Sequence, residues 1–281
     1  MLWARQLEDE RPPAARTESR QVSALAPDAA VLRSRVLDEA GLRHGFTTLA
    51  AGDFAWPALQ TPEGQEHLRI LGEEVGFDPR LLVTAEQVHG STVAVVHLCE
   101  NCGPGNRVPH TDGLITEEPW PLLIATADCF PVIVYEPGEK MVAVVHCGWR
   151  GTVAGILPRA VARLIRETGG RASELRAGIG PGICGQCYEV GDDVVQAAFQ
   201  AGLESHVSGD ANLVRRRFDI AGALRQQLLD SNLRPGHIDR VDRCSFEDPE
   251  LPSYRRDHTE LRAAAVVVLE KPLVVDPAHR H

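Results

Sequence analysis

The chain has 281 residues, 43% of them hydrophobic and 24% charged, which is enough to bury a large core and too apolar for a disordered polypeptide. Its formal net charge of -10 argues against a broad grip on nucleic acid, because such binding depends on Lys and Arg neutralising phosphates. No run approaches the roughly 18 apolar residues of a membrane span, and seven cysteines in a chain this long fit a reduced interior better than a disulfide framework.

Residues 1–28 are rich in Pro, Ala and charge without a sustained period, and read as a flexible extension. They lack the apolar core of a secretory signal and the acid-poor make-up of a transit peptide, so a cytoplasmic protein is expected. The folded part begins at AAVLRSRVL. Short β-rich runs follow: LLVTAEQV (81–88), TVAVVHL (92–98), PLLIATADC (121–129), PVIVYEP (131–137) and MVAVVHC (141–147). The last three are apolar at nearly every position, which suits strands covered on both faces, and the EPGEK between two of them is a hairpin turn. Helical periods come next in TVAGILPRAVARLIRETG, GDDVVQAAFQAG and FDIAGALRQQLLDSN. Pro158 makes the first of these kinked or late-starting, and Asp219 is placed to cap the last. AAAVVVL (263–269) is a final strand before a frayed PAHRH. With no repeat and no linker after residue 30, residues 29–276 read as one α+β domain with a sheet-rich core and helices outside.

Polar sets stand at the ends of three apolar runs: Gln87-Val-His89-Gly90, Ala127-Asp128-Cys129, and His146-Cys147-Gly148-Trp149-Arg150-Gly151. Two histidines and a thiol make a three-ligand zinc site with a fourth position open to water or substrate. Strand alternation puts His146 and Cys147 on opposite faces, so one of them can join such a site, and the period does not say which. Taken singly, each of these residues also has a structural reading, as a hydrogen-bonded histidine or a small buried thiol. Asp112 in HTDGLIT, like Asp128, could orient a histidine or hold a loop.

Two Cys-x-x-Cys pairs, Cys99/Cys102 and Cys184/Cys187, could together give a four-thiolate zinc site, but their separation of more than 80 residues argues against a compact one. GIGPGICG (178–185) lacks the Lys-Ser/Thr of a P-loop, so its glycines either admit an anion to the backbone or form a turn. Ser253-Tyr254-Arg255-Arg256-Asp257 carries two guanidiniums suited to carboxylate or phosphate, or simply to solvent.

EQVHGSTV, TDGLIT, TADCFPVIVYEP, VAVVHCGWRGTVAGI, GIGPGICGQCYEVGDDV, FDIAGALRQQLL and CSFEDPELPSYRRDH together resemble, in order, the bacterial proteins named polyphenol oxidase, laccase domain. That family is now described as purine nucleoside phosphorylases with adenosine deaminase and methylthioadenosine phosphorylase activity. The resemblance implies zinc held by His89, Cys129 and His146, with copper the weaker reading. It implies phosphate binding by Arg150 and by Arg69 of EHLRIL, and purine nucleosides and phosphate as small-molecule partners. It also implies a layered mixed β-sheet core flanked by helices, similar to the catalytic domain of a cytotoxic-necrotizing-factor-type deamidase.

The chain departs from the family at GFTTLAAGDFAWPALQ (45–60), where a Gly-Gly-Val-Ser loop and a Leu-Asn pair are usual, and at Leu68, where the arginine is usually preceded by asparagine. Rival readings are a copper-dependent phenol oxidase, a hydrolase with Cys129 as nucleophile, and a metal-stabilised binding module without turnover. Neither nucleic acid nor membrane is expected as a partner. The oligomeric state stays open, with a monomer the simplest expectation.

Overall fold

Apolar runs without a polar face need cover on two sides, and this requirement organises the molecule. The computed structural model describes residues 30–97, 105–209 and 215–270. The extension at 1–28, the pair Cys99/Cys102 and the terminal PAHRH lie outside the described residues. The strands are β1 Val31–Leu32, β2 Arg43–Thr47, β3 Val83–Ala85, β4 Val93–Val95, β5 Arg107–Val108, β6 Gly113–Thr116, β7 Leu122–Thr126, β8 Phe130–Glu136, β9 Met141–Cys147, β10 Arg176–Ile179, β11 Glu189–Val190, β12 Val207–Ser208, β13 Arg216–Phe218, β14 Ile238–Arg240 and β15 Ala263–Val268. The helices are α1 Arg35–Glu39, α2 Trp56–Leu59, α3 Pro62–Val75, α4 Trp149–Val153, α5 Ile156–Thr168, α6 Asp192–Gln200, α7 Ile220–Asp230 and α8 Tyr254–Asp257.

Two six-stranded mixed sheets carry the fold, in the orders β1-β2-β15-β7-β3-β5 and β14-β10-β8-β9-β6-β4, and a small sheet β11-β13-β12 lies apart from them. The two large sheets pack face to face. Phe46, Leu122, Ile124 and Val267 of the first meet Leu114, Ile133, Val142 and Val144 of the second in a shared core. The outer face of the first sheet, with Leu123, Ala264 and Val266, is covered by Leu68, Leu71 and Val75 of α3. The outer face of the second, with Val132, Val134, Ala143 and Val145, is covered by α5 and α7 through Leu157, Val161, Leu164, Leu224 and Leu228. The result is the expected α+β domain, layered helix–sheet–sheet–helix, and it accounts for the unbroken hydrophobicity of β7, β8 and β9.

The β8–β9 hairpin pairs seven residues on each side, from Phe130↔Cys147 to Glu136↔Met141, and turns through residues 137–140. The left-handed residue of that turn is Lys140, at φ 55, rather than Gly138. The expected helix across 152–169 is two helices. Gly155, left-handed at φ 73, separates α4 from α5, and Pro158 falls in the first turn of α5, where its missing N–H costs nothing. Asp219 caps α7 as expected, accepting from the Gly222 N–H at 3.0 Å. The glycine-rich 178–185 run is a packing feature, with Gly180 set against the ring of Phe46 and Gly182 against that of Phe130. Helix α3 was not expected from periodicity. Its signals were local: Thr61 accepting from the Gly64 N–H, Pro62 at the first position, and left-handed Gly76 at the end.

Two substitutions test this layering. Ile133→Ala, which opens a cavity between the sheets, should destabilise the protein by about 2–5 kcal/mol, and Asp219→Ala should cost about 1 kcal/mol through the lost cap. Urea unfolding should show both as lower midpoints at an unchanged denaturant slope.

Candidate metal centre

Alternation along β9 sends His146 and Cys147 to opposite faces of the second sheet. His146 shares the parity of Val142 and Val144 and faces the space between the sheets, where it is 3% exposed. Cys147 shares the parity of Ala143 and Val145 and is buried against the helices, where burial pushes its thiol far above its ordinary value. His89 stands where the chain turns after β3, left-handed at φ 59, and Cys129 immediately precedes β8. The ligand atoms of His89, Cys129 and His146 all lie within 4.8 Å of one another. That spacing suits one shared ion with bonds of about 2.0–2.3 Å to nitrogen and sulfur. The two imidazoles meet edge to face, with centroids 4.8 Å apart.

A single buried carboxylate organises both histidines. Asp112, 0% exposed, accepts from the backbone N–H groups of Val88 at 3.2 Å, His89 at 2.9 Å and Gly90 at 2.7 Å. It also pairs with Nδ1 of His146 at 2.8 Å, which leaves Nε2 to face Cys129. Burial alone would raise the Asp112 pKa, but His146 and the N–H groups of Gly90 and Val88 bring it below the usual carboxylate range.

Cys129 and His146 form a charged pair. Burial disfavours the Cys129 thiolate, yet the charge and hydrogen bond of His146, with help from His89, bring its pKa down to about 6. Burial likewise disfavours the His146 cation, yet the Cys129 thiolate and the bond to Asp112 push it up to about 9. Between those values the metal-free chain holds a thiolate beside an imidazolium.

The glycines of HCGWRG make room for close approach. A Cβ on Gly148 would stand 3.0 Å from Cys129 Sγ and 3.2 Å from the His89 ring, and one on Gly151 would meet the Gly90 carbonyl at 2.9 Å. Arg150 is exposed, with its guanidinium 4.3 Å from the Trp149 ring centroid and no carboxylate partner among the described residues. Arg69, by contrast, lies on α3, exposed and engaged by Glu66 at 2.7 and 2.8 Å and by Glu73. The structure thus gathers His89, Cys129 and His146, with Arg150 three residues beyond β9, while Arg69 belongs to the layer outside the first sheet.

Three further residues border the centre. Asp128, left-handed at φ 76, accepts from Ser245 Oγ at 2.6 Å, Ser253 Oγ at 2.7 Å and the Arg255 N–H at 2.7 Å, and so ties the segment before Cys129 to the 245–255 loop. Arg255 lays its guanidinium 5.0 Å from the centroid of Tyr188 and donates to the Glu189 carbonyl at 2.8 Å. Its neighbour Arg256 is turned inward onto the carbonyls of Ser245, Asp248 and Leu251. Burial, together with the charge of Cys129, pushes the Tyr188 phenol up to about 12. Tyr188 carried no signal in the sequence beyond its place after a Cys-x-x-Cys pair.

A family model described as "Multi-copper polyphenol oxidoreductase laccase" matches residues 61–270. A protein of Deinococcus radiodurans named purine nucleoside phosphorylase is 36% identical over 242 residues, which is 83% of this chain and 89% of the relative. One of the same name from Streptomyces coelicolor is 35% identical over 205 residues, covering 72% and 80%. The crystal structure of the Bacillus licheniformis hypothetical protein YfiH superposes with a TM-score of 0.72 at 25% identity, covering 82% of this chain and 93% of that one.

Two outcomes follow from the geometry. Zinc binding at pH 7.5 should release one proton from the Cys129–His146 pair, since the metal replaces the His146 proton while Cys129 is already a thiolate; below pH 6 it should release two. Affinity should therefore rise with pH up to about 9 and then level off, as titration calorimetry in buffers of different ionisation enthalpy would show. Gly148→Ala should weaken metal binding by about tenfold or more by displacing Cys129 Sγ, measured by chelator competition.

Proposed function

Since the chain belongs to the family described as multi-copper polyphenol oxidoreductase laccase, whose relatives above are named purine nucleoside phosphorylases, we propose that it is a zinc-dependent purine nucleoside phosphorylase. Adenosine, inosine, guanosine and methylthioadenosine are its substrates in this reading, with adenosine deamination as a second activity. The observation that carries it is Arg150, a guanidinium without a carboxylate partner among the described residues, set three residues beyond the strand that ends in His146 and Cys147. Its planar fork suits a phosphate oxygen pair.

A blue copper oxidase would need a trinuclear cluster rich in histidine pairs. The candidate ligand groups among the described residues are one His₂Cys set and one Cys₃Glu set. The His279-Arg280-His281 pair lies outside the described residues. Zinc therefore suits the donors better than a copper cluster.

Phosphorolysis forms a bond from a phosphate oxygen to the sugar carbon as the bond to the purine nitrogen breaks, giving a free base and a sugar 1-phosphate. Arg150 holds the phosphate and offsets its charge, and Arg255 takes the second cationic position in place of Arg69, whose guanidinium is occupied by Glu66 and Glu73. Tyr188, protonated at neutral pH, donates a hydrogen bond to the departing purine. Asp112 keeps His146 in one tautomer and fixes the backbone beneath His89. A zinc ion bound by the triad would supply Lewis acidity and lower the pKa of water.

In this reading residues 29–276 form one catalytic domain that works in the cytoplasm as a monomer. No helix among the described residues is long and apolar enough to cross a membrane.

A second reading rests on one observation: the Cys129–His146–Asp112 relay is also the arrangement of a thiol nucleophile, its base and an orienting carboxylate. Alkylation separates the two. A metal-loaded chain with turnover should shield Cys129, whereas turnover by a metal-free chain that ends on alkylating Cys129 would favour the nucleophile.

Inosine and phosphate given to the zinc-loaded protein should yield hypoxanthine and ribose 1-phosphate, and base release that does not depend on phosphate would sink the proposal. Arg150→Ala should raise the KM for phosphate by about 10- to 100-fold, the loss of one charge-assisted contact, with metal content unchanged.

A further inference from the structure

We infer that Cys184, Cys187, Cys244 and Glu247 form a second metal site, structural in role and suited to zinc, which clamps two loops beside the first centre. Their ligand atoms all lie within 4.8 Å of one another. The pairing of Cys184/Cys187 with Cys99/Cys102, which the sequence argues against, falls outside the described residues; within them the fold brings to Cys184/Cys187 a second pair of the same spacing, Cys244-x-x-Glu247. Each pair spans one edge of a tetrahedron, so the two loops together offer three sulfurs and a carboxylate oxygen.

Backbone hydrogen bonds hold both loops in this arrangement, and the Arg256 guanidinium braces the second through the carbonyls of Ser245 and Asp248. The N–H groups of Cys187 and Tyr188 both donate to the Cys184 carbonyl at 3.0 Å, which curls the first loop so that its thiols lie on one side. Gly182 forms an isolated parallel bridge with Cys244, and the Ser245 N–H donates to the Gly182 carbonyl at 3.1 Å. The Asp248 N–H donates to the Cys244 carbonyl at 2.9 Å, turning the second loop so that Glu247 returns toward the sulfurs. The Cys184 N–H donates to Cys244 Sγ at 3.3 Å, which ties the two loops directly at the sulfurs.

The three cysteines are free and half-buried, and Glu247 is exposed. Several thiolates at this separation repel one another, and a divalent cation among them turns that repulsion into attraction. A disulfide between any two would leave the third sulfur and the carboxylate without a role.

The position of the cluster gives it a consequence. Cys187 is followed by Tyr188, whose ring lies beneath Arg255. Cys244 is followed by Ser245, which donates to Asp128, the residue before Cys129. A cation at the cluster thus fixes two walls of the first centre through their adjacent residues, while touching none of its ligands.

Metal counting on the full chain under reducing conditions tests this independently of any turnover, so it can fail while the phosphorylase reading stands, and the reverse. The wild type should hold two zinc ions per chain and Cys129→Ala one. Cobalt added to Cys129→Ala, whose first centre has lost its thiolate, should give a thiolate-to-cobalt charge-transfer band. The band should persist when Cys99→Ser and Cys102→Ser are added and vanish with Cys244→Ser. Glu247→Gln, a change at an exposed position, should weaken zinc at this site by about tenfold or more in chelator competition. A Cys129→Ala chain without the band, a band indifferent to Cys244→Ser, or a disulfide among these cysteines in the reduced preparation would overturn the inference.

Discussion

The carboxylate of Asp112 is the group on which the metal centre depends. A buried carboxylate is tolerated only when hydrogen bonds and opposite charge replace its lost water. Here three consecutive backbone N–H groups and one imidazole do so, drawn from two separate segments of the chain. One interaction therefore fixes the left-handed turn that presents His89 and the ring orientation of His146. The Asp112 carbonyl adds a third tie, accepting from the His146 N–H at 2.7 Å. Removing the carboxylate would loosen both histidines together, although it contributes no atom to the metal-ligand set.

Asp128 plays the corresponding part for the rim. Its three donors come from a loop more than 100 residues downstream, and they hold the backbone beside Cys129 in a conformation that L residues adopt reluctantly. The two aspartates divide the work: one positions ligands from beneath, the other closes the surrounding loops over them. Between them lies the Cys129–His146 pair, in which each partner favours the charged form of the other.

Much of this was legible in the residues. Unbroken apolar runs announced the doubly covered strands β7, β8 and β9, and Pro158 and Asp219 marked helix starts because their constraints are local. The choice between His146 and Cys147 was not legible from periodicity, since alternation fixes only that they differ; the family resemblance favoured His146, and in the fold it is His146 that lies near His89 and Cys129. Arg150 and Arg69 read alike as arginines, but once α3 is recognised Glu66 and Glu73 flank Arg69 on its own helix, whereas Arg150 has no carboxylate partner among the described residues. Cys244 and Glu247 were invisible as partners of Cys184 and Cys187, because spacing along the chain reveals chelating pairs but not which pairs the fold brings together.

The β8–β9 hairpin carries Cys129 and His146 at its open end and turns at residues 137–140 on the other. Seven residues of strand separate the two ends, about 20 Å of extended chain. Both faces of each strand are buried, one against the first sheet and the other against the helices, so each side chain has a different environment from its neighbour. A one-residue slip of β9 against β8 would exchange the roles of neighbouring side chains, bringing Cys147 into the metal centre and driving His146 into the helical core. The register of a hairpin whose turn bears no functional group thus acts as an address for the chemistry at the far end, and a slip would be felt there as loss of the metal.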